Sequence, residues 1–257
     1  MSLNLYSKVA DNYKNNSQKI RVLTEKWVYE YIFCPNCGNA INKYKNNKPV
    51  ADFYCSKCVE DFELKSKQGN IGKKINDGAY STMIKRLQSS TNPNFYILTY
   101  EKDSLDIINF VVIPKHFFIP EIIEKRKPLS PTAKRAGWIG CNILLNTIPN
   151  SGKIFYIKNK QIIDKNKVID SWHNTTFLQN TTNIKTKGWL LDIMYCIDLL
   201  KKNEFTLNDI YSFEDYLKAK HPNNNNIKAK IRQQLQILRD KSYLRFISRG
   251  KYKLEVQ

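Results

Sequence analysis

Two carboxylates and a lysine stand at a spacing that suits metal-assisted hydrolysis. Asp52 lies in Pro49-Val-Ala-Asp-Phe-Tyr-Cys55, and Glu63 and Lys65 follow eleven and thirteen residues later in Phe62-Glu-Leu-Lys65. Side chains on a strand alternate between faces, so Glu63 and Lys65 would share one face while Phe62 and Leu64 turn to a core. A strand carrying Asp52 and pairing antiparallel with this one would set Asp52 against Glu63. Two carboxylates so placed would hold Mg2+, a hard cation that takes oxygen ligands and keeps waters. The ion would polarise a phosphate and acidify an attacking water. Lys65 would position that water or stabilise the growing negative charge. Asp61 has the same period as Glu63 and ranks below it. The plainer alternative is an ordinary ion pair on a solvated strand face.

Four of the six cysteines surround these residues. Cys34-Pro-Asn-Cys37 and Cys55-Ser-Lys-Cys58 are two Cys-x-x-Cys pairs separated by 17 residues. Two such pairs close a tetrahedron around Zn2+ and leave no open position, so this metal would hold shape rather than react. Cys141 and Cys196 lie in apolar contexts and read as plain core thiols. The polar N-terminus shows no secretory signal, which argues against disulfides and for a cytoplasmic protein.

Charge points to the partner. The 257 residues carry 42 Lys and Arg against 23 Asp and Glu, a net charge of +19. Such an excess attracts a polyanion, because lysines and arginines on phosphates release condensed counterions. With 42% apolar and 12% aromatic residues the chain can build a core. No apolar run approaches the ~18 residues that would suggest a membrane span, and no basic amphipathic helix suggests an acidic membrane surface. No dimerisation heptad is visible, so a monomer is expected.

Several elements would position these groups. Residues 1–30 read as two helices, the first capped by Ser2 with Leu5, Val9 and Tyr13 in line, the second capped by Ser17 with Ile20, Leu23 and Trp27 on one face. Strand candidates lie around Val50–Tyr54, Phe62–Ser66, Asn94–Thr99 and Ile107–Ile113. Residues 76–88 read as a helix with Ala79, Met83, Ile84 and Leu87 inward. Ser130-Pro131 reads as a helix start, and Gly152–Ile157 with Gln161–Ile163 as a hairpin. A polar linker is expected near 175–188. Beyond it come a helix over Trp189–Lys201, a second capped by Thr206, and a third whose stripe is Ile227, Ile231, Leu235 and Leu238. A hairpin of Tyr243–Ser248 and Lys251–Val256 follows, turning at Arg249-Gly250. Three helices and a basic hairpin are the winged-helix order.

The Asp, Glu-x-Lys pattern is that of PD-(D/E)xK nucleases, although Pro49 stands three residues before Asp52 instead of adjacent. Glu25, on the preceding helix, is where such nucleases often add a third acidic group. Longer stretches are more specific, and through them the chain resembles the DpnI-like methyl-directed restriction endonucleases along nearly its whole length. They are Cys-Pro-Asn-Cys-Gly at 34–38, Pro-Val-Ala-Asp-Phe-Tyr-Cys at 49–55, Phe-Glu-Leu-Lys-Ser-Lys at 62–67 and Ile-Asn-Asp-Gly-Ala-Tyr at 75–80. The likeness continues through Arg-Ala-Gly-Trp-Ile-Gly-Cys-Asn-Ile at 135–143, Ile-Arg-Gln-Gln-Leu-Gln-Ile-Leu-Arg-Asp-Lys at 231–241 and Arg-Gly-Lys-Tyr at 249–252. The resemblance implies an α/β (α+β) nuclease core over 1–182, a mixed sheet flanked by helices with an embedded zinc site, and a winged-helix domain over 183–257. It also implies a bacterial enzyme that cuts double-stranded GATC sites carrying N6-methyladenine, uses Mg2+, and reads DNA through both domains.

Residue chemistry suggests where the DNA is read. The third winged-helix helix normally enters the major groove. With its apolar stripe buried, Lys228, Lys230, Arg232, Gln233 and Gln236 lie on other faces. Gln pairs with adenine and Arg with guanine, so Arg232 and Gln233 are the base-reading candidates. Lys228 lies beside them, and Arg245, Arg249 and Lys251 suit phosphate. Trp138, in Ala136-Gly-Trp-Ile-Gly140, is the candidate apolar contact for a methyl group, with a core tryptophan as its alternative. Two other functions remain open to this sequence: a non-catalytic zinc and winged-helix DNA-binding regulator, and a repair nuclease without sequence preference.

Overall fold

Runs rich in aromatic and β-branched residues form strands, and most of those strands join one sheet. The computed structural model describes residues 1–45, 51–87, 89, 92–181 and 183–255. The chain divides into two compact units, Met1–Asn146 with Lys153–His173, and Thr147–Gly152 with the chain from Asn174 onward. The first unit holds strands β1 (Asn42–Lys43), β2 (Phe53–Tyr54), β3 (Asp61–Gln68), β4 (Lys74–Ala79), β5 (Asn94–Tyr100), β6 (Ile107–Ile113), β7 (Ile123–Lys125), β8 (Gly140–Leu144), β9 (Ile154–Lys158) and β10 (Gln161–Ile162). Its helices are α1 (Asn16–Tyr31), α2 (Tyr80–Leu87) and α3 (Lys165–His173). No helix among the described residues is long and apolar enough to cross a membrane.

The main sheet runs β1-β2-β3-β5-β6-β9-β10 and is mixed, with β3 parallel to β5 and the other pairs antiparallel. A parallel neighbour needs a crossover, and here it carries β4 and α2. β4 leaves the main sheet and pairs with β8 in a second sheet, β4-β8-β7. Central β5 is buried from Asn94 to Thr99, as expected of a strand covered on both faces. Phe62 stacks on Tyr96 at 4.5 Å, Tyr96 meets Phe110 at 5.0 Å, and Phe110 meets Tyr156 edge-on at 5.3 Å. Each such pair adds about 0.5–1.5 kcal/mol beyond its buried area. These contacts tie β3, β5, β6 and β9 into one slab.

Several local expectations yield to tertiary pairing. The first helix expected in residues 1–30 does not form. Leu5 N–H donates to Leu105 O and Ile107 N–H to Leu3 O, so the segment is tied as an extended strap ahead of β6. Its supposed apolar face is not one, since Val9 and Tyr13 are exposed. The second helix is α1, but Asn15 is the cap and accepts from Ser17 N–H. Residues 76–79 are strand, because Ile75 pairs with Ile143 across β4 and β8, and α2 begins only at Tyr80. Ser130-Pro131 opens a turn in which Ala133 N–H donates to Ser130 O, and no helix follows. Pro49 and Val50 lie outside the described residues.

The second unit holds α4 (Ile184–Leu200), β11 (Glu204–Thr206), α5 (Leu207–Tyr211), α6 (Glu214–Lys220), α7 (Ile227–Asp240), β12 (Leu244–Ser248) and β13 (Lys251–Leu254). α4 starts inside the expected linker, capped by the Asn183 side chain on Thr186 N–H. Thr182, also in that linker, lies outside the described residues, as does Val256. Ile227, Ile231, Leu235 and Leu238 of α7 are buried as the spacing predicts. The sheet is ordered β11-β13-β12 and turns at Gly250, whose φ is +71°.

Thr206 begins α5 with a reciprocal cap. Its hydroxyl accepts from Asp209 N–H, while the Asp209 carboxylate accepts from Thr206 N–H at 2.6 Å and from the hydroxyl at 2.8 Å. The Thr206 backbone and hydroxyl, then Lys202, hold Asp209 below the usual carboxylate range. Its contribution is therefore complete above the ordinary aspartate value of about 3.9 and is lost as pH falls through the lowered one. Thr206→Ala should destabilise this unit by about 1 kcal/mol in urea unfolding of the full chain, and unchanged stability would remove the cap from the account.

Candidate active site and zinc cluster

The two cysteine pairs build matching turns. Gly38 N–H donates to Cys34 O at 2.8 Å and Cys34 N–H to Asn39 O at 2.8 Å. Val59 N–H donates to Cys55 O at 3.0 Å and Cys55 N–H to Glu60 O at 2.9 Å. The residue after each pair is left-handed, Gly38 at φ +71° and Val59 at φ +59°. The pairs interlace, with Cys34 Sγ 3.4 Å from Cys58 Sγ and Cys37 Sγ 3.4 Å from Cys55 Sγ. All four sulfurs lie within 4.8 Å of one another. Zinc–sulfur bonds of about 2.3 Å would set sulfurs about 3.8 Å apart in a tetrahedron. The cluster could hold zinc with no further ligand.

The second cysteine pair is the turn between β2 and β3. Phe53 pairs with Phe62 and Tyr54 with Asp61. Asp52 N–H continues the ladder to Phe62 O at 2.9 Å. Asp52, just ahead of β2, thus shares Phe62 with Phe53 and comes beside Glu63 without being its ladder partner. Asp52, Glu63 and Lys65 line one cleft of about 290 Å³, together with Arg21, Thr24 and Glu25 of α1 and Arg86 of α2. Phe62 is fully buried on the other face of β3, and Leu64 packs against the same core.

The cleft is charged and tightly paired. Asp52 Oδ2 accepts from Leu64 N–H at 2.7 Å. Burial raises the Asp52 carboxyl above its ordinary value, against the Leu64 bond, and Glu63 and Glu25 add to the rise. Glu63 is held by two cations, Lys65 Nζ at 2.5 Å and Arg86 Nη2 at 2.8 Å. Burial draws the Lys65 ammonium down, yet Glu63 and Asp77 outweigh it and its pKa sits above the usual lysine value. With side-chain exposures of 16% for Glu63 and 21% for Lys65, this is not a solvated strand face. Glu25 is buried and bound by Arg21 Nε at 2.6 Å and Lys43 Nζ at 2.7 Å. Asp61 instead accepts the Tyr44 hydroxyl at 2.7 Å. Two carboxylates lining one cleft beside open volume suit Mg2+, which needs few protein ligands when waters and phosphate oxygens complete its shell.

Sequence reasoning missed Asp77 and Arg86. Asp77 Oδ1 accepts from Lys65 Nζ at 2.5 Å. Both residues lie in the segment read as one helix, which hid the strand that aims Asp77 and the short helix that presents Arg86.

The residues proposed to read DNA are distributed over both units. Trp138 is half-buried in the loop before β8, with the Arg135 guanidinium 4.6 Å from its ring centre. A Cβ on Gly140 would come within 2.8 Å of that ring, so a larger residue there would push Trp138 aside. On α7, Lys228 Nζ lies 3.2 Å from Glu214 Oε2, Arg232 Nη1 donates to the Tyr211 hydroxyl, and Lys230 Nζ donates to Gln233 Oε1. Arg249 and Lys251 are exposed at the turn of the β12–β13 hairpin. Arg245 on β12 pairs with Glu255 at 2.9 Å. Cys141 and Cys196 are buried.

A mixed sheet beside a four-cysteine cluster that could hold zinc, followed by a helix-turn-helix unit, defines the class of protein. Residues 1–181 match the DpnI, Dam-replacing family, and residues 185–254 match the Dam-replacing HTH domain. The chain belongs to the DpnI family of methyl-directed restriction enzymes.

Purified protein should carry about one zinc per chain by elemental analysis. Stripping it should lower the melting temperature and abolish DNA cleavage even in excess Mg2+. Normal cutting by zinc-free protein would break the link between the cluster and the cleft.

Proposed function

We propose that this chain is a type II restriction endonuclease that cuts double-stranded DNA at GATC sites carrying N6-methyladenine, by Mg2+-dependent phosphodiester hydrolysis. The observation that carries the reading is the one cleft that Asp52, Glu63 and Lys65 line together, Glu63 and Lys65 two residues apart on β3. Asp52 and Glu63 are the proposed Mg2+ ligands. Bound there, the ion supplies Lewis acidity toward the scissile phosphate and an attacking water. Lys65 reaches the Glu63 carboxylate at 2.5 Å, so its ammonium stands where it can orient that water or meet charge developing on phosphate oxygen. Arg86 and Arg21 supply further positive charge at the cleft wall. The four cysteines are the proposed zinc ligands.

Residues 1–182 are read as the nuclease and 183–257 as the winged helix, each contacting DNA. Arg232 and Gln233 are the proposed base readers, Lys228 lies beside them, and Arg249 and Lys251 are the proposed phosphate contacts. Arg232 and Lys228 would exchange their present partners, Tyr211 and Glu214, for DNA. A methyl on adenine N6 points into the major groove. One buried methyl gives about 0.8 kcal/mol, or about fourfold, so two methyls and two readers would multiply a modest gain.

Two experiments test this reading. Methylated and unmethylated plasmids are offered to the protein with Mg2+. The methylated plasmid alone should be cut at GATC, and Asp52→Asn should lose cleavage by about a thousandfold or more while retaining DNA binding. Absence of cutting, equal cutting of both plasmids, or persistent cutting by the variant each rejects the proposal. Trp138→Ala should reduce the methylated-over-unmethylated preference by about fourfold or more, with melting temperature little changed. An unaltered preference would return Trp138 to a packing role.

A further inference from the structure

Asp77 has no part in the reading above, yet its carboxylate is nearly enclosed, with a side-chain exposure of 5%. It belongs to β4 in the second sheet, whereas Lys65 belongs to β3 in the main one. The β4–β8 register runs regularly from Lys74–Leu144 to Asp77–Cys141 and then shifts, so Gly78 is one residue extra before Ala79 meets Gly140. Such a bulge re-aims neighbouring side chains and is common beside active sites. Asp77 is the last regular pair before the bulge, on the Ile75 face, and its carboxylate reaches from this sheet to the lysine of the other.

Lys65 Nζ is held from three sides: Glu63 Oε1 at 2.5 Å, Asp77 Oδ1 at 2.5 Å, and the Phe95 ring with its centre 5.9 Å away. Glu63 and Phe95 are direct partners across β3 and β5. A buried carboxylate is costly unless its charge is answered, and among the described residues Lys65 is the cation paired with Asp77. The two carboxylates on Lys65 differ in one respect. Glu63 lines the cleft with Asp52 and is a proposed metal ligand, whereas Asp77 reaches Lys65 from β4 in another sheet. A divalent cation drawing on Glu63 would weaken that carboxylate's hold on Lys65 and repel the ammonium. Asp77 would then be the remaining counter-charge.

We propose that Asp77 is a positioning residue, which holds the Lys65 ammonium in the cleft while Glu63 is engaged by the metal ion. The proposal rests on the assignment of Glu63 and Lys65 made above. It divides the work between the carboxylates: one shared with the metal, the other reserved for the lysine.

The test uses the full chain, with Asp77→Asn as the isosteric variant, Asp77→Glu as the conservative one and Lys65→Met as the reference. In 15N-lysine-labelled protein, the Lys65 ammonium signal is the one lost in Lys65→Met. It should persist in the wild type when Ca2+ is added without DNA. In Asp77→Asn it should be present without metal, because Glu63 still holds it, and vanish on adding Ca2+. A purely structural role for Asp77 does not produce this metal dependence. Single-turnover cleavage by Asp77→Asn should fall about 10–100-fold, with metal-free DNA affinity within about twofold of wild type, and Asp77→Glu should recover part of the rate. A Lys65 signal that survives Ca2+ in Asp77→Asn, one absent from the wild type, or cleavage at the wild-type rate would overturn the proposal. Lys65→Met that cuts normally would instead refute the site assignment itself.

Discussion

The antiparallel register of β2 and β3 is the constraint on which the cleft depends. In a strand pair, a slip of one residue moves every side chain to the opposite face. Here a slip would break the Asp52 N–H bond to Phe62 O that holds Asp52 at the cleft and turn Phe62 out of the aromatic slab. Only two residues of β2 pair in regular strand geometry, Phe53 and Tyr54, too few to fix a register by hydrogen bonds alone. Two further features supply the missing specificity. Phe53 and Phe62 are direct partners and both fully buried. The turn between the strands contributes half of a four-cysteine cluster whose other half lies in the chain after α1.

Charge is arranged against the average of the chain. A protein of net charge +19 gathers Asp52, Glu63, Asp77 and Glu25 within a small region, and each has a partner. Leu64 N–H binds Asp52, Lys65 and Arg86 bind Glu63, Lys65 binds Asp77, and Arg21 and Lys43 bind Glu25. The cations therefore do two jobs on the proposed reading. They compensate the carboxylates before DNA arrives, and they stand ready to meet phosphate afterwards. The exposed basic residues of α7 and the hairpin follow the same economy, with Lys228, Arg232 and Arg245 each borrowing an internal partner.

The parts of the fold that were legible in the sequence are those in which local pattern and tertiary need agree. The stripe of Ile227, Ile231, Leu235 and Leu238 has the helical period and is buried as one face. Thr206 is a cap in both readings, and the dense runs at 94–100 and 107–113 are the buried central strands. The cysteine spacing is legible because thiolate geometry around a metal leaves few alternatives. The two larger failures, at the N-terminal segment and at 76–79, came through long-range pairing. Leu5, Val9 and Tyr13 have a helical period, but the backbone around Leu3 and Leu5 bonds to residues a hundred positions away. The helical stripe of Met83, Ile84 and Leu87 runs back to Ala79, yet Ile75 and Asp77 pair with β8 and the poor helix formers Asn76, Asp77 and Gly78 stay in the strand. That error concealed Asp77, since no spacing rule links a residue in a second sheet to Lys65.

The main sheet ends in two-residue strands on both sides, β1 and β10. Long, flat edges are templates on which another chain can add its own strand, and folded proteins commonly shorten them. A slab with an interior this apolar and edges this brief offers a second copy little ladder to extend. Brief edges of this kind leave little backbone on which a further strand could be added.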